Sequence, residues 1–211
     1  SIAMDKNLAK ICFKEAGIPV VEHIILDESY SLKNIPFKLP YVIKPLAGGS
    51  SVDVKILKNE NDWQPIKNSG NKNKKYLVEP YIPGRELTVA TLGNKSLIVT
   101  DIISDNWYNY DAKYNIGASK HIIPAKIPVN IEKLCLDYAL IAHDKLGCRG
   151  VTRTDFRWNE KLGSKGLFIL ELNTQPGMTP TSLVPEQANF IGMSFEDLCD
   201  WLIEDACIDK T

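Results

Sequence analysis

Apolar and polar positions alternate with a period of two most clearly between Gly150 and Gly177. Val151-Thr-Arg-Thr-Asp-Phe-Arg-Trp-Asn159 and Leu167-Phe-Ile-Leu-Glu-Leu-Asn173 flank a Gly163-Ser-Lys-Gly166 turn, which predicts a β-hairpin. Side chains two apart in a strand share a face, so Arg153 and Asp155 lie together, as do Glu171 and Asn173. The opposite, apolar face is expected to include Val151, Phe156, Leu170 and Leu172. The same reading gives strands over Tyr41–Pro45, Val54–Leu57 and Tyr76–Ile82, an extended run over Val20–Leu26, and a second hairpin from Glu86–Leu92 and Ser96–Ile103 about Gly93-Asn94.

Helical spacing appears three times. From Asp5 to Ala16 the apolar positions Leu8, Ile11, Cys12 and Ala16 recur, and Gly17 and Pro19 end the run. A helix from Asn130 to Leu146 carries Ile131, Leu134, Cys135, Tyr138, Ile141, Ala142 and Leu146 as its core stripe. A last helix has Ser194 as its N-cap and Phe195, Leu198, Cys199, Leu202 and Ile203 inward. The run through Pro176, Pro180 and Pro185 reads as a loop, as does the aromatic segment from Asn106 to Gly117. Pro83-Gly84 reads as a hinge, dividing a smaller lobe, 1–84, from a larger one, 85–211.

If the strands of the hairpin pair, Asp155, Glu171 and Asn173 converge beside the Arg153 guanidinium. Carboxylate and amide oxygens without His or Cys suit a hard cation such as Mg²⁺ or Mn²⁺, and the arginine suits an anion. The competing reading is a solvated sheet edge. Ala47-Gly-Gly-Ser-Ser-Val-Asp53, following Lys44, exposes backbone N–H groups and hydroxyls where phosphate oxygens can be held, although Gly-Gly-Ser-Ser is also an ordinary turn. A lysine in Tyr-Val-Ile-Lys-Pro is by default solvated; its place ahead of that loop gives it a phosphate-binding alternative.

Composition narrows the classes. With 211 residues, 44% of them hydrophobic, the chain can bury a substantial core in one large or two small domains. The 25 Lys and Arg nearly balance the 26 Asp and Glu, so no overall field favours nucleic acid or an anionic membrane. No apolar run approaches the roughly 18 residues of a membrane span, and no signal peptide is visible. Five cysteines without a C-x-x-C pair read as reduced, buried residues of a cytoplasmic protein, and the three histidines lack zinc-ligand spacing.

Read in order, Met4-Asp-Lys6, Val42-Ile-Lys-Pro45, Gly49-Ser-Ser51, Leu77-Val-Glu79, Gly84-Arg-Glu86, Tyr110-Asp-Ala-Lys-Tyr114, Arg153-Thr-Asp155, Glu171-Leu-Asn173 and Pro176-Gly-Met-Thr179 form a set spanning nearly the whole chain. The set resembles the D-alanine–D-alanine ligases, ATP-grasp enzymes of peptidoglycan synthesis. The resemblance implies an α+β fold of two lobes whose antiparallel sheets sandwich ATP. Lys6 and Lys44 would contact its phosphates, with Gly49, Ser50 and Ser51 folded over them in the loop 47–53. Glu79, Tyr81 and Ile82 would line the adenine pocket, Glu86 would bind the ribose and Trp107 would pack near the base. Asp155, Glu171 and Asn173 would hold two Mg²⁺ ions, and Arg153 with the Gly177 N–H would stabilise the transition state. Lys113 would reach the γ-phosphate, Tyr114 would mark a dipeptide ligase, and Ser182 with Leu183 would hold the carboxylate of the second of two D-alanines.

Some positions depart from the family pattern. Asp53 stands where a glycine commonly closes the phosphate loop, and Pro80 where a lysine is common. Residue 1 is Ser, and nothing corresponds to the N-terminal domain of roughly 100 residues that the resemblance implies as a partner. The chain is therefore expected to be a fragment that binds ATP and Mg²⁺ but ligates weakly alone, and to form a homodimer when full length. Two other functions fit the same residues: an ATP-grasp ligase for another amino acid, and a nucleotide-binding module without catalysis.

Overall fold

A computed structural model describes residues 1–26, 35–48, 53–59, 62, 75–103 and 120–207. Helix α1 (Lys6–Glu15) starts where the Asp5 carboxylate accepts from the N–H groups of Asn7 and Leu8. Its buried face, however, is Lys6, Ala9, Lys10 and Phe13, while the apolar stripe read from the sequence is turned outward at Leu8 and Ile11. Two lysines can occupy the inner face because each finds acceptors there, as described below.

The strands form two antiparallel sheets. The smaller has the order β1-β4-β2-β3, from β1 (Ile24–Leu26), β2 (Tyr41–Pro45), β3 (Lys55–Leu57) and β4 (Tyr76–Pro80). The larger has the order β7-β6-β5-β8-β9, from β5 (Arg85–Leu92), β6 (Lys95–Ile103), β7 (Lys120–Ile122), β8 (Val151–Trp158) and β9 (Leu167–Asn173). The chain crosses between them at Gly84, where a Cβ would land on the carbonyl of Trp158, so only glycine passes.

Helix α1 and helix α2 (Val129–Lys145) cover one face of the larger sheet, with Ala9, Phe13, Ile131, Cys135, Phe156 and Ile169 in one core. Helix α1 thus packs with the larger lobe although it precedes the crossing at residue 84. Helices α3 (Leu183–Phe190) and α4 (Phe195–Asp205) cover part of the other face, through Ala90, Leu92, Val184, Ala188 and Leu198. The smaller sheet has its own cluster about Leu26, Ile43 and Val78.

Several expectations are corrected. The prolines do not keep 183–190 a loop: Pro185 lies in the first turn of α3, where its missing N–H breaks no helical bond. The connection between β8 and β9 is a 3-10 segment, Glu160–Gly166, rather than a tight glycine turn. Ile141, Phe195 and Ile203 lie at the surface instead of in the core. Only Cys135 of the five free cysteines is fully buried, and Cys207 is exposed. Val151 packs with the α3 and α4 cluster, away from Phe156 and Leu172, since it shares the face of Arg153 and Asp155. Leu170 turns into the cleft between the sheets because a register shift at Asp155/Phe156 places an extra residue in β9.

Candidate active site

Register decides which side chains meet. Along the β8–β9 pair Arg153 stands opposite Asn173 and Asp155 opposite Glu171, so all four point to one side. On β5 the partners of the same row are Ala90 for Arg153, Thr88 for Asp155 and Glu86 for Arg157. One end of this face is covered by α3 and α4, whereas the other opens towards the smaller sheet. Asp155 and Glu171 sit at the opening.

The Asp155 carboxylate is tightly held. Arg153 donates from Nε to Oδ1 and from a terminal nitrogen to Oδ2, both at 2.8 Å. Thr88 Oγ donates to Oδ1 at 2.7 Å, and Asn173 Nδ2 donates to Oδ2 at 3.1 Å. The carboxylate plane is thereby fixed, and Glu171 beside it lines the cleft. Two carboxylates and a carboxamide supply only oxygen ligands, a donor set suited to a hard cation. Among the described residues no three His, Cys, Asp or Glu side chains are grouped to hold a metal ion, so the two carboxylates depend on the Asn173 carboxamide to complete the set.

Across the cleft the smaller sheet presents Lys44 and Glu79. Lys44 is buried, contrary to its default reading, and its Nζ donates to Glu79 Oε1 at 2.6 Å. Lys10, fully buried on α1, brings its ammonium to 2.8 Å from Glu79 Oε2 and donates to the Val21 carbonyl at 3.3 Å. Burial alone would raise the Glu79 pKa, but the two ammonium groups bring it down to about 2. The Lys10 contact is not aligned as a hydrogen bond, which leaves Glu79 Oε2 without one in a buried position. Burial lowers the pKa values of both Lys6 and Lys10, against the opposing pull of Glu171 and Glu79.

Lys6 reaches the start of the loop 47–53, donating from Nζ to the Gly48 carbonyl at 2.8 Å. Its backbone N–H bonds Leu46 O, and Asp5 bridges to Ala47, so α1 begins against that loop. At the far end of the loop Asp53 adopts φ 60°, the left-handed conformation that a glycine takes readily and that Asp tolerates. The substitution in the family pattern therefore keeps the backbone turn. Gly49, Ser50, Ser51, Trp107, Lys113 and Tyr114 lie outside the described residues.

Arg157 organises the rest of the cleft. It donates to the Ile82 carbonyl at 3.0 Å, to Glu86 Oε2 at 3.3 Å and to the Tyr81 hydroxyl at 3.2 Å, with its guanidinium 5.7 Å from the Tyr81 ring centroid. Lys44, Glu79, Tyr81, Ile82, Glu86, Asp155 and Glu171 line one cleft that is open to solvent. Of the expected residues, Gly177 and Ser182 lie together and are not among the residues that line that cleft: a Cβ at 177 would come within 2.8 Å of Ser182 Oγ. Ser182 Oγ accepts from the Thr179 N–H at 3.1 Å. The Leu183 side chain is buried against Ile102.

Sequence reasoning missed Lys10, Thr88, Arg157 and Gln187. Lys10 lies one turn from Lys6 on the same helical face, and Arg157 shares the period-2 face of Arg153 and Asp155, so both were signalled. Thr88 depends on register and Gln187 on a helix read as a loop.

Solved structures show the same architecture. The chain superposes on the D-alanine–D-alanine ligase of Bacillus anthracis complexed with ATP, with a TM-score of 0.79 and 24% identity, over 97% of this chain and 66% of that one. It superposes on the VanG D-Ala:D-Ser ligase of Enterococcus faecalis with a TM-score of 0.81 and 30% identity, over 96% and 61%. Two antiparallel sheets enclosing a cleft of this kind define an ATP-grasp ligase. Residues 12–204 match the family described as "D-ala D-ala ligase C-terminus". D-alanine–D-alanine ligases of Ruegeria sp. (strain TM1040) and Ruegeria pomeroyi are 49% and 50% identical over the whole chain, which spans 68% of the length of each. The chain belongs to the D-alanine–D-alanine ligase family. That membership makes it part of an ATP-dependent carboxylate–amine ligase. Among the described residues no helix is long and apolar enough to cross a membrane.

Proposed function

We propose that this chain carries the ATP-grasp site of an enzyme that joins two D-alanines for peptidoglycan synthesis. The observation that carries this reading is the cross-strand pairing of Asp155 with Glu171 and of Arg153 with Asn173, on a face that opens towards Lys44 and Glu79.

A carboxylate is a poor electrophile. In the proposed first step an oxygen of the first D-alanine carboxylate attacks the γ-phosphorus of ATP, the bond to the β–γ bridging oxygen breaks, and ADP leaves with that electron pair. In the second step the amine of the second D-alanine attacks the acyl phosphate carbon, the C–O bond to phosphate breaks, and the amine loses a proton. No protein nucleophile is needed. Both steps concentrate negative charge, and Arg153 meets it with a guanidinium whose direction Asp155 already fixes. Asp155, Glu171 and Asn173 would hold Mg²⁺ or Mn²⁺, two ions in this reading, which when bound shield the phosphate charge.

The remaining residues bind and orient. Glu79 lines the cleft together with Tyr81 and Ile82, and the three would form the wall that meets adenine. Glu86, turned by Arg157, is placed for the ribose. Lys6 and Lys44 are placed for the phosphates, together with Gly49, Ser50 and Ser51. Trp107 belongs near the base, Lys113 near the γ-phosphate, and Tyr114 with the acceptor. Ser182 and the Leu183 N–H, at the start of α3, would hold the carboxylate of the second D-alanine, and the Gly177 N–H the oxyanion.

The division at residue 84, the homodimer and a cytoplasmic location belong to the same proposal. The test is phosphate release from ATP in the polypeptide carrying the full length of the relatives, with a panel of D- and L-amino acids. Release that depends on D-alanine supports the reading. Release with a different amino acid points to another ATP-grasp ligase, and nucleotide binding without release points to a non-catalytic module.

A further inference from the structure

Helix α3 carries two adjacent residues that pin it to two different strands. Glu186 Oε2 accepts from His121 Nδ1 of β7 at 2.6 Å, with both side chains partly buried. Gln187 is fully buried and reaches β5: its Oε1 accepts from the Ala90 N–H at 2.8 Å, and its Nε2 donates to the Thr88 carbonyl at 3.3 Å. The β5–β6 register breaks between Val89 and Thr91, so the Gln187 carboxamide stands where the ladder to β6 lapses.

The two β5 residues that Gln187 holds are not arbitrary. Thr88 is the cross-strand partner of Asp155 and Ala90 that of Arg153. Thr88 also donates its hydroxyl to Asp155. A continuous path of short contacts thus runs from α3, through one carboxamide, to the two side chains placed at phosphoryl transfer. The same helix begins at Ser182 and Leu183.

We infer that Gln187, seconded by the His121–Glu186 pair, is a positioning residue that sets the distance between the acceptor end of α3 and the Arg153–Asp155 pair of β8. This rests on the reading of Ser182 and Leu183 as the acceptor site. Attack by the amine on the acyl carbon needs that distance held closely. When it drifts, the acyl phosphate persists and water takes the place of the amine.

The test uses the full-length polypeptide, with dipeptide and phosphate measured together. Gln187→Met keeps the volume but removes both bonds and leaves a buried N–H unpaired. The expected result is a rise of roughly five- to tenfold in the KM for the second D-alanine, an unchanged KM for ATP, and more than one phosphate released per dipeptide. Glu186→Gln, at the partly buried pair, shifts the same two quantities in the same direction by a smaller factor, and decides alone if Gln187→Met does not fold. An unchanged acceptor KM and ratio, or an ATP KM that rises in step, overturns the inference. Ser182→Ala separates the two readings. If it raises the acceptor KM while the α3 variants do not, the positioning role fails and the acceptor site stands. If Ser182→Ala leaves the acceptor KM unchanged, the acceptor site itself fails and the inference falls with it.

Discussion

Lys44 Nζ lies 2.6 Å from Glu79 Oε1, so two residues expected to serve different parts of one nucleotide are paired with each other. The pair is buried and joined by Lys10 on the second oxygen. Its consequence for stability has a definite sign. The Glu79 pKa falls from 4.5 to about 2 on folding, so the ionised carboxylate stabilises the fold fully above pH 4.5 and progressively less as pH falls towards 2. Chemical denaturation across this window should show a loss of about 3 kcal/mol attributable to Glu79. In Glu79→Gln the same interval should be flatter by that amount; an unaltered pH slope would assign the acid sensitivity to other carboxylates.

Replacing Glu171 by Gln or Asp155 by Asn should reduce metal-dependent phosphoryl transfer by at least a hundredfold or so. Glu171 faces the cleft, so Glu171→Gln should melt close to the parent. Asp155→Asn should also weaken the hold on Arg153, and its melting temperature should fall. Turnover retained by both variants would remove these residues from the phosphoryl-transfer site.

Arg157 ties together the carbonyl of Ile82, the carboxylate of Glu86 and the hydroxyl of Tyr81. Arg157→Met should therefore raise the KM for ATP by roughly tenfold and leave the KM for the acceptor amino acid in place. Titration with a fluorescent ATP analogue gives the same answer without turnover. Equal loss on both substrates would mean that Arg157 supports the sheet generally.

Gly177→Ala places a methyl within 2.8 Å of Ser182 Oγ, which Thr179 holds on its other side. Ligation should drop by the order of tenfold. In the double variant with Ser182→Ala the clash is gone, so the two losses should combine to less than their sum. Strict additivity in steady-state kinetics would separate the two positions.

Most strands were legible because their period-2 pattern is strong, and it put Arg153 with Asp155 and Glu171 with Asn173; the register that sets Asp155 opposite Glu171 is seen only in the fold, as is the short β7. Three features hid the rest. A bulge moves Leu170 from the core face to the cleft, and nothing in an alternating run announces a skipped residue. On α1 the apolar spacing pointed to Leu8 and Ile11, whereas the helix turns Lys6 and Lys10 inward. A hydrophobicity pattern counts a lysine as exposed, and this one is buried because Glu79 and the Val21 carbonyl receive it. Helix α3 was masked by its own proline, although Pro185 sits where a helix tolerates one.

Helix α1 is shared property of the two sheets. Phe13 and Ala9 are anchored in the core of the larger one, while Lys10 and Lys6 reach Glu79 and Gly48 on the smaller side. Parting the sheets must either strip a cation from a buried carboxylate or draw an apolar helix face into water. Both are uphill, so α1 ties the two sheets to each other.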